Sequence, residues 1–262
     1  HKIMFELMKR IGTSYEKKII KNSDLIFTVN ESCANYLKEK YNRKDINYFR
    51  NFPVLKQKPL CKNLLSKNFS LSKDCNIIIY IGSIAKGRQL RNIVKCGKYL
   101  EKKNKIIIIG NGVFKNELVH LSKNEETYNK NVYFMNSINY NQLFETISEA
   151  KIGLMLLNPI NKSKEFALAN KITEYMLCGI VPVLSDHIEH KKLDPKNTFS
   201  IITNNYTPKG IACVINKVLK KTDYINHKSL IARREFENKY NWENEKEKFL
   251  KPFNLLIDDC NY

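Results

Sequence analysis

The stretch Ala167-Leu-Ala-Asn-Lys-Ile-Thr-Glu-Tyr-Met-Leu-Cys-Gly-Ile-Val-Pro-Val-Leu-Ser-Asp186 decides the fold of this chain. Residues 171–178 have helical character, and Gly179 suits the left-handed position that follows a helix end. The apolar run after this glycine predicts a buried strand over 181–185. Asn170 is expected to cap the helix, because its side-chain oxygen can accept a free backbone N–H of the first turn.

The start of the predicted helix also indicates how the stretch could bind a ligand. Glu174 lies one turn into the helix, on the same face as Asn170. A helix N-terminus carries unpaired N–H groups and about half a positive charge, so it attracts phosphate. A carboxylate one turn deeper can accept two hydrogen bonds from a ribose diol. The simpler interpretation is an ordinary helix, because the helix dipole alone favours a glutamate in the first turn.

Short apolar runs alternate with helical patterns along most of the chain. Strands are expected at 77–81, 105–109, 131–135, 152–157, 181–185 and 199–202, with helices between most of them. This alternation predicts an α/β fold with a doubly wound parallel sheet, whose ligands lie at the carboxyl ends of the strands. Further helices are expected over 207–221, 227–239 and 242–257.

The same patterns predict four regions. Residues 1–53 contain a helix and a lone β-α-β unit. Residues 54–75 are polar and without periodicity, which is typical of an interdomain connection. Residues 76–239 hold the predicted sheet and form the nucleotide-binding domain. Residues 240–262 are expected to form a helix that packs back towards the N-terminal part.

The composition restricts the classes of partner. The net charge is +19, but the basic residues are mostly lysines spread along the whole chain. Scattered lysine is typical of a solvated surface, so no nucleic-acid partner is expected, and contact with an anionic membrane surface fits better. No apolar run approaches the ~20 residues of a membrane span. The chain begins with His1 rather than Met, so we expect a fragment of a longer protein.

The seven cysteines and five histidines are scattered, and no Cys-x-x-Cys pair occurs. This pattern predicts free thiols in a reducing cytoplasm and no metal site. His187 and His190 follow the strand at 181–185 and are expected in a solvated loop. Glu165 could face the same cleft as Glu174, but a loop carboxylate is the simpler interpretation.

Two further loops follow strand ends and carry chemistry that suits an anion. In the first, Gly82 lets backbone N–H groups approach a ligand, Arg88 can bind two phosphate oxygens, and Lys86 adds a point charge. The alternative for Arg88 is a surface arginine at the start of a helix. In the second, Gly110-Asn-Gly112 could bring backbone close to a base or diphosphate, or simply form a tight turn. Together with the start of the 171–178 helix, the loops predict a nucleotide diphosphate site.

With these residues identified, the chain resembles the family 4 glycosyltransferases, which have the GT-B fold of two facing Rossmann-like domains. Five segments carry the resemblance: Ser23-Asp-Leu-Ile-Phe-Thr-Val-Asn-Glu31, Arg50-Asn-Phe-Pro53, Tyr80-Ile-Gly-Ser83, Ile108-Ile-Gly-Asn-Gly112 and Asn170-Lys-Ile-Thr-Glu-Tyr-Met-Leu-Cys-Gly-Ile-Val-Pro-Val183. The first two look like the end of the N-terminal acceptor domain, so the resemblance implies that residues 1–53 are part of this second Rossmann-like domain. The other three look like binding stations of the C-terminal donor domain, and the last is the most specific.

The resemblance implies a role for each matching residue. Arg88, helped by Lys86, would neutralise the donor diphosphate, and Glu174 would hold the ribose hydroxyls. Asn170 and the following backbone would face phosphate and sugar. The implied donor-binding set is Gly82, Ser83, Lys86, Arg88, Gly110, Gly112, Asn170, Lys171 and Glu174, of which Arg88 and Glu174 are the implied catalytic residues.

Two departures from the family pattern stand out. The family often has two glutamates separated by seven residues, but Phe166 stands eight positions before Glu174, and Glu165 is one place off. Ala169 occupies a position where related branches often have proline. The acceptor domain is also expected to be mostly absent from this chain.

The resemblance implies an enzyme that moves a sugar from a UDP- or GDP-linked donor to a glycan or lipid-linked acceptor. Such transfer retains the anomeric configuration and needs no metal or cofactor. Surface polysaccharide synthesis, in the cytoplasm at the inner face of the plasma membrane, is the expected context. Two alternatives stay open: another GT-B enzyme such as a sugar-nucleotide epimerase, and a non-catalytic basic binding module.

Overall fold

The computed structural model describes residues 2–158 and 165–260, which divide into two compact units. The smaller unit comprises the residues up to Asn51 and those from Trp242 onward. Its elements are α1 (Lys2–Asn22), β1 (Ile26–Thr28), α2 (Glu31–Tyr41), β2 (Ile46–Tyr48) and the last helix, α11 (Trp242–Cys260). Strands β1 and β2 pair in parallel, with Ile26 opposite Ile46, so the predicted β-α-β unit is present.

The larger unit comprises Phe52–Asn241. Its strands are β3 (Asn76–Ile81), β4 (Asn104–Ile109), β5 (Val132–Met135), β6 (Ile152–Met155), β7 (Val181–Ser185) and β8 (Ile201–Thr203). Its helices are α3 (Leu64–Asn68), α4 (Leu90–Cys96), α5 (Lys115–Asn124), α6 (Tyr140–Ile147), α7 (Asn170–Leu177), α8 (Ile188–Leu193), α9 (Pro208–Leu219) and α10 (Thr222–Asn238). A 3-10 turn, Gly97–Tyr99, follows α4.

The six strands form one parallel sheet in the order β5-β4-β3-β6-β7-β8. Every residue of β3 is buried, and successive residues point to opposite faces. Ile77, Ile79 and Ile81 join the core beneath α7 and α10, whereas Ile78 and Tyr80 join the core beneath α4 and α9. Burial on both faces explains why the strands read as continuous apolar runs. The predicted doubly wound parallel sheet is confirmed.

Element boundaries differ from the prediction where side chains bind the backbone. The last strand begins at Ile201 rather than 199, because the backbone N–H groups of Phe199 and Ser200 donate to Asp194 instead of continuing the pairing with β7. The helix expected over 227–239 begins earlier, at Thr222.

The polar segment 54–75 contains a short helix of the larger unit. Leu65 of α3 is fully buried in the core, and the backbone N–H of Ser66 donates to Glu149 Oε2 over 3.0 Å. Arg233 of α10 donates to the backbone oxygens of Lys56 and Leu177, over 2.6 and 2.5 Å. Side chains of the larger unit therefore fix this segment, although its sequence carries no periodicity.

Candidate functional site

Five of the predicted residues line one cavity of about 320 Å³ at the carboxyl edge of the sheet, and they are Gly82, Ser83, Gly110, Lys171 and Glu174. They come from the loops after β3 and β4 and from the first turns of α7. Because the strands are parallel, these loops emerge at the same edge. Apolar Ile138 and Leu143 line the cavity together with polar Asn111 and Ser137.

The backbone around this cavity is packed too closely for side chains at three glycines. Gly82, Gly110 and Gly112 have φ angles of +131°, +152° and +156°, which other residues rarely adopt. A Cβ at Gly110 would overlap the carbonyl oxygen of Gly82, and one at Gly112 would overlap that of Ile84. The backbone N–H of Ile84 donates to Asn111 O over 2.9 Å, so the two loops hold each other.

The predicted cap of α7 is wrong. The N-cap residue is Ala169, which has an extended backbone with φ −79° and ψ 133° and no side-chain acceptor. Asn170 is instead the first helical residue and is exposed, and its carbonyl accepts a hydrogen bond of 2.8 Å from the Thr173 hydroxyl. The N-terminus of α7 therefore has no side-chain cap.

Glu174 and Lys171 place opposite charges on the first turns of α7. Burial raises the pKa of the Glu174 carboxyl, and the ammonium group of Lys171 partly offsets that rise. Both side chains line the cavity of about 320 Å³. A half-buried carboxylate beside a lysine offers one acceptor and one cation to the same ligand.

Tyr175 fixes this helix to the sheet, and the sequence analysis did not single it out. The Tyr175 hydroxyl accepts from the backbone N–H of Ile81 over 3.2 Å and donates to Leu154 O over 3.4 Å. Its fully buried ring lies against Gly153 of β6, where a Cβ would overlap the ring. The signal in the sequence is a glycine inside an otherwise apolar strand, which often marks a close approach.

Arg88 and Lys86 lie in a second cavity, of about 480 Å³, rather than beside Glu174. Arg88 Nη1 lies 3.4 Å from the Tyr80 hydroxyl, which itself donates to Ser83 O over 2.8 Å. Within the described residues, the buried Nε of Arg88 has no hydrogen-bond partner. Lys86 is exposed, and its ammonium group lies 5.3 Å from the centre of the Phe114 ring. Burial raises the pKa of Tyr80, and the charge of Arg88 opposes that rise.

The predicted site residues are thus distributed over two neighbouring cavities. The loop 82–88 contributes Gly82 and Ser83 to the first and Lys86 and Arg88 to the second. Gly112 and Asn170 line neither of these two cavities. Gly112 instead makes the close turn after β4 possible.

A protein-family model matches most of the larger unit. The model of the glycosyl transferases group 1 family matches residues 62–235, which is about two thirds of the chain. The chain belongs to this family. The matched range lies inside Phe52–Asn241 and contains both cavities. A comparison with curated proteins finds no match.

Solved structures extend the similarity in fold beyond the matched range. Sucrose-phosphate synthase from Thermosynechococcus elongatus superposes with a TM-score of 0.78 at 16% identity, covering 93% of this chain and 61% of that one. Anabaena HepE, solved with UDP and glucose, gives 0.76 at 11% identity, covering 88% and 63%. WaaG, a glycosyltransferase involved in lipopolysaccharide biosynthesis, gives 0.68 at 9%, covering 86% and 61%. The predicted GT-B fold class is confirmed, and this group 1 chain spans about three fifths of these proteins.

Neither a metal-ligand cluster nor a membrane-spanning helix occurs in the described part of this group 1 chain. Over residues 2–158 and 165–260, no three His, Cys, Asp or Glu residues are grouped as metal ligands would be. Over the same residues, no helix has the length and apolarity that a membrane span requires.

The predicted solvated loop at His187 and His190 is wrong, because both side chains are buried around the start of α8. Their rings stack with centres 5.4 Å apart. His190 Nδ1 lies 2.8 Å from Ser185 O, which assigns the ring proton to Nδ1. Its buried Nε2 has no hydrogen-bond partner among the described residues. Burial, helped by the nearby His187 and opposed by the hydrogen bond to Ser185 O, lowers the pKa of His190 to about 4.

This burial makes folding sensitive to acid. Unfolding restores an ordinary histidine pKa of about 6.5, so the unfolded chain takes up a proton first as the pH falls from that value. We expect the free energy of unfolding to fall by about 3 kcal/mol, because of His190, as the pH falls from 6.5 to 4. Above pH 6.5 this stabilisation is complete. His190→Asn keeps a donor near Ser185 O without titrating, so its unfolding free energy should vary less across this window. Exposed His227→Asn is the control and should retain the wild-type pH profile in denaturant titrations.

Proposed function

We propose that this chain is the donor-binding part of a glycosyltransferase that uses a nucleoside diphosphate sugar. The observation that carries the proposal is the cavity of about 320 Å³, where Glu174 and Lys171 of α7 face the tight glycine turns after β3 and β4. A ribose diol suits the half-buried carboxylate, and a base suits the apolar wall formed by Ile138 and Leu143. HepE, of similar fold, is described in complex with UDP-glucose, so we propose UDP before GDP as the carrier.

The charges of the site suit a leaving diphosphate. When the bond between the anomeric carbon and the diphosphate oxygen breaks, the electron pair stays on that oxygen and negative charge accumulates there. Arg88 and Lys86 in the second cavity, Lys171 in the first and the uncapped N-terminus of α7 supply fixed positive charge and N–H donors. Such preorganised groups stabilise developing charge without a protein nucleophile. We therefore propose transfer with retention and without a metal ion.

The acceptor and its context follow by analogy. WaaG is described as involved in lipopolysaccharide biosynthesis, and S. aureus TarM is described in complex with Fondaparinux, alpha-GlcNAc-glycerol and UDP. A glycan or lipid-linked acceptor at the cytoplasmic face of an anionic membrane suits the net charge of +19. We propose surface polysaccharide or glycolipid synthesis as the process.

Nucleotide binding in EDTA tests the proposal. We expect UDP to raise the melting temperature of the purified chain and to bind measurably by calorimetry, with GDP and ADP weaker. Glu174→Gln and Arg88→Ala should each weaken UDP by about 10- to 100-fold, because each removes a charge-assisted contact of about 1.5–3 kcal/mol. Exposed Glu247→Gln and Arg234→Ala are matched controls and should leave the affinity unchanged.

Two results would contradict this proposal. If no nucleoside diphosphate binds the folded chain, the donor site is absent from it. If UDP binds equally well to both site variants, the nucleotide occupies another surface and the residue assignments are wrong.

A further inference from the structure

A third cavity, of about 760 Å³, differs from the two others in its chemistry, and we name it the amide cleft. It lies among the start of α4, the end of β6 and the segment between β8 and α9. Carboxamide side chains and one tyrosine dominate its wall: Gln89, Asn92, Asn158, Asn204, Asn205 and Tyr206. Among the described residues, 2–158 and 165–260, none that lines it is charged, although the chain as a whole carries a net charge of +19.

Much of the hydrogen-bonding capacity of these carboxamides is unused. Asn92 Nδ2 donates to Gln89 Oε1 over 2.9 Å, which leaves the amino group of Gln89 and the oxygen of Asn92 available. Asn205 Oδ1 accepts from the Thr207 backbone and hydroxyl over 3.2 and 2.7 Å, which leaves the Asn205 amino group available. Asn158 and Asn204 are exposed residues of the same wall. The cleft therefore presents both donors and acceptors to a ligand.

This combination favours a neutral polyhydroxylated ligand. Each sugar hydroxyl both donates and accepts, as each carboxamide does, so adjacent hydroxyls can pair with adjacent amides. A phosphate or a nucleic acid would instead require cations, and an apolar ligand would require an apolar wall. Tyr206 adds ring surface to the wall, and its hydroxyl is already engaged by the backbone N–H of Asp186 over 3.2 Å.

The amide cleft is continuous with the cavity that contains Arg88. Gln89, Asn92 and Asn158 line both. The backbone N–H of Asn158 donates to Gly87 O over 3.1 Å, so the loops that carry the shared wall are joined. A ligand group in the amide cleft would therefore lie next to the cationic residues of the second cavity.

We propose that the amide cleft is a saccharide-binding subsite that takes a neutral sugar unit of a glycan. The proposal extends the glycosyltransferase function proposed above, in which the adjoining cavity holds the diphosphate. Its volume of about 760 Å³ lies within the range of ordinary small-molecule sites, about 300–1,000 Å³.

Side-chain amide NMR of the ¹⁵N-labelled chain tests the subsite, with maltotriose, cellotriose and triacetylchitotriose as probes. At millimolar concentration at least one probe should shift the NH₂ signals of Asn158, Asn204 and Asn205. The double variant Asn158→Ala with Asn204→Ala should weaken that probe by about tenfold or more, the value of one to two lost hydrogen bonds. Exposed Asn116→Ala on α5 is the control and should bind as the wild type does.

The outcomes separate this inference from the proposed function. UDP binding is measured on the same samples and should be unchanged in the single variant Asn204→Ala, because Asn204 lines the amide cleft and not the cavity that contains Arg88. If UDP binds but none of the three saccharides shifts these signals, or if saccharide binding survives in the double variant, the subsite is overturned while the donor site stands. If saccharides bind as expected but UDP does not, the subsite stands and the donor proposal fails.

Discussion

Replacing Asp194 with alanine is expected to lower the free energy of unfolding by about 3–5 kcal/mol, because a buried charge network would lose its carboxylate. Asp194 Oδ1 accepts from the backbone N–H and hydroxyl of Thr198 over 2.7 and 3.0 Å. Its Oδ2 accepts from the backbone of Phe199 over 3.0 Å and from the backbone and hydroxyl of Ser200, each over 2.8 Å. Alanine would leave the buried donors of Phe199 and Ser200, and the partly buried donors of Thr198, without their acceptor.

A buried lysine makes this loss more severe. Lys228 is only 3% exposed and donates to Ser200 O over 2.9 Å and to Thr198 O over 3.3 Å. Burial lowers the pKa of Lys228, and the charge of Asp194 opposes that change. Without the carboxylate, the ammonium group would remain buried with backbone oxygens alone. A double-mutant cycle with Lys228→Met should show coupling between the two side chains.

The pH dependence gives an independent check on Asp194. Burial alone would raise the pKa of this carboxyl, but hydrogen bonds from Ser200, Thr198 and Phe199 outweigh it and hold the pKa below its ordinary value. The stabilisation is therefore complete above the ordinary pKa and is lost as the pH falls through the folded value. Urea titrations of Asp194→Ala and of exposed Asp223→Ala measure both effects. The control substitution should lower the free energy of unfolding by less than about 1 kcal/mol. A loss no larger than this for Asp194→Ala would contradict the network.

Gly110→Ala is expected to destabilise the larger unit by about 2–5 kcal/mol, the sum of backbone strain and overpacking. The φ angle of +152° disfavours a side chain there, and the new Cβ would overlap the carbonyl oxygen of Gly82. Relief requires the loops after β3 and β4 to separate, which would deform the cavity shared with Glu174. We therefore expect that UDP no longer raises the melting temperature of this variant. UDP should also fail to bind the folded variant at temperatures below its lowered melting point.

Gly12→Ala is the control for this substitution. A Cβ at Gly12 would meet nothing within 4 Å, and the residue lies inside helix α1. Alanine should stabilise that helix by up to about 1 kcal/mol and leave UDP binding intact. Calorimetric melting with and without UDP distinguishes the two variants. If Gly110→Ala folded and bound UDP like the wild type, the close approach of the two loops would be wrong.

Local chemistry explains which features could be predicted from the sequence. Gly179 was expected in a left-handed conformation and has a φ angle of +71°, because the end of α7 is set by neighbouring residues. The six strands were found because strands buried on both faces are apolar throughout. Asn170 failed as a cap because the chain turns into α7 one residue earlier, at Ala169, and either residue could have been the boundary.

Features that depend on distant packing could not be predicted in the same way. The burial of His190 follows from how α8 packs after β7, which no pattern in the 185–194 segment indicates. The contact between Tyr175 and Gly153 joins residues that are far apart in sequence. The parallel topology is sufficient to predict that Arg88 and Glu174 lie at the carboxyl edge of the sheet. Their separation into two cavities depends on side-chain directions that a sequence does not reveal.

The anchoring of Tyr175 to β3 and β6 has a consequence for the kinetics of recognition. A helix held to two strands by one hydroxyl and one closely packed ring keeps little conformational freedom before a ligand arrives. The entropy of ordering α7 is therefore lost during folding and does not reduce the binding free energy of a ligand that contacts Glu174. Association at this helix then needs no preceding rearrangement, so the affinities of the nucleotides that we propose to bind there should be set mainly by how fast each one dissociates.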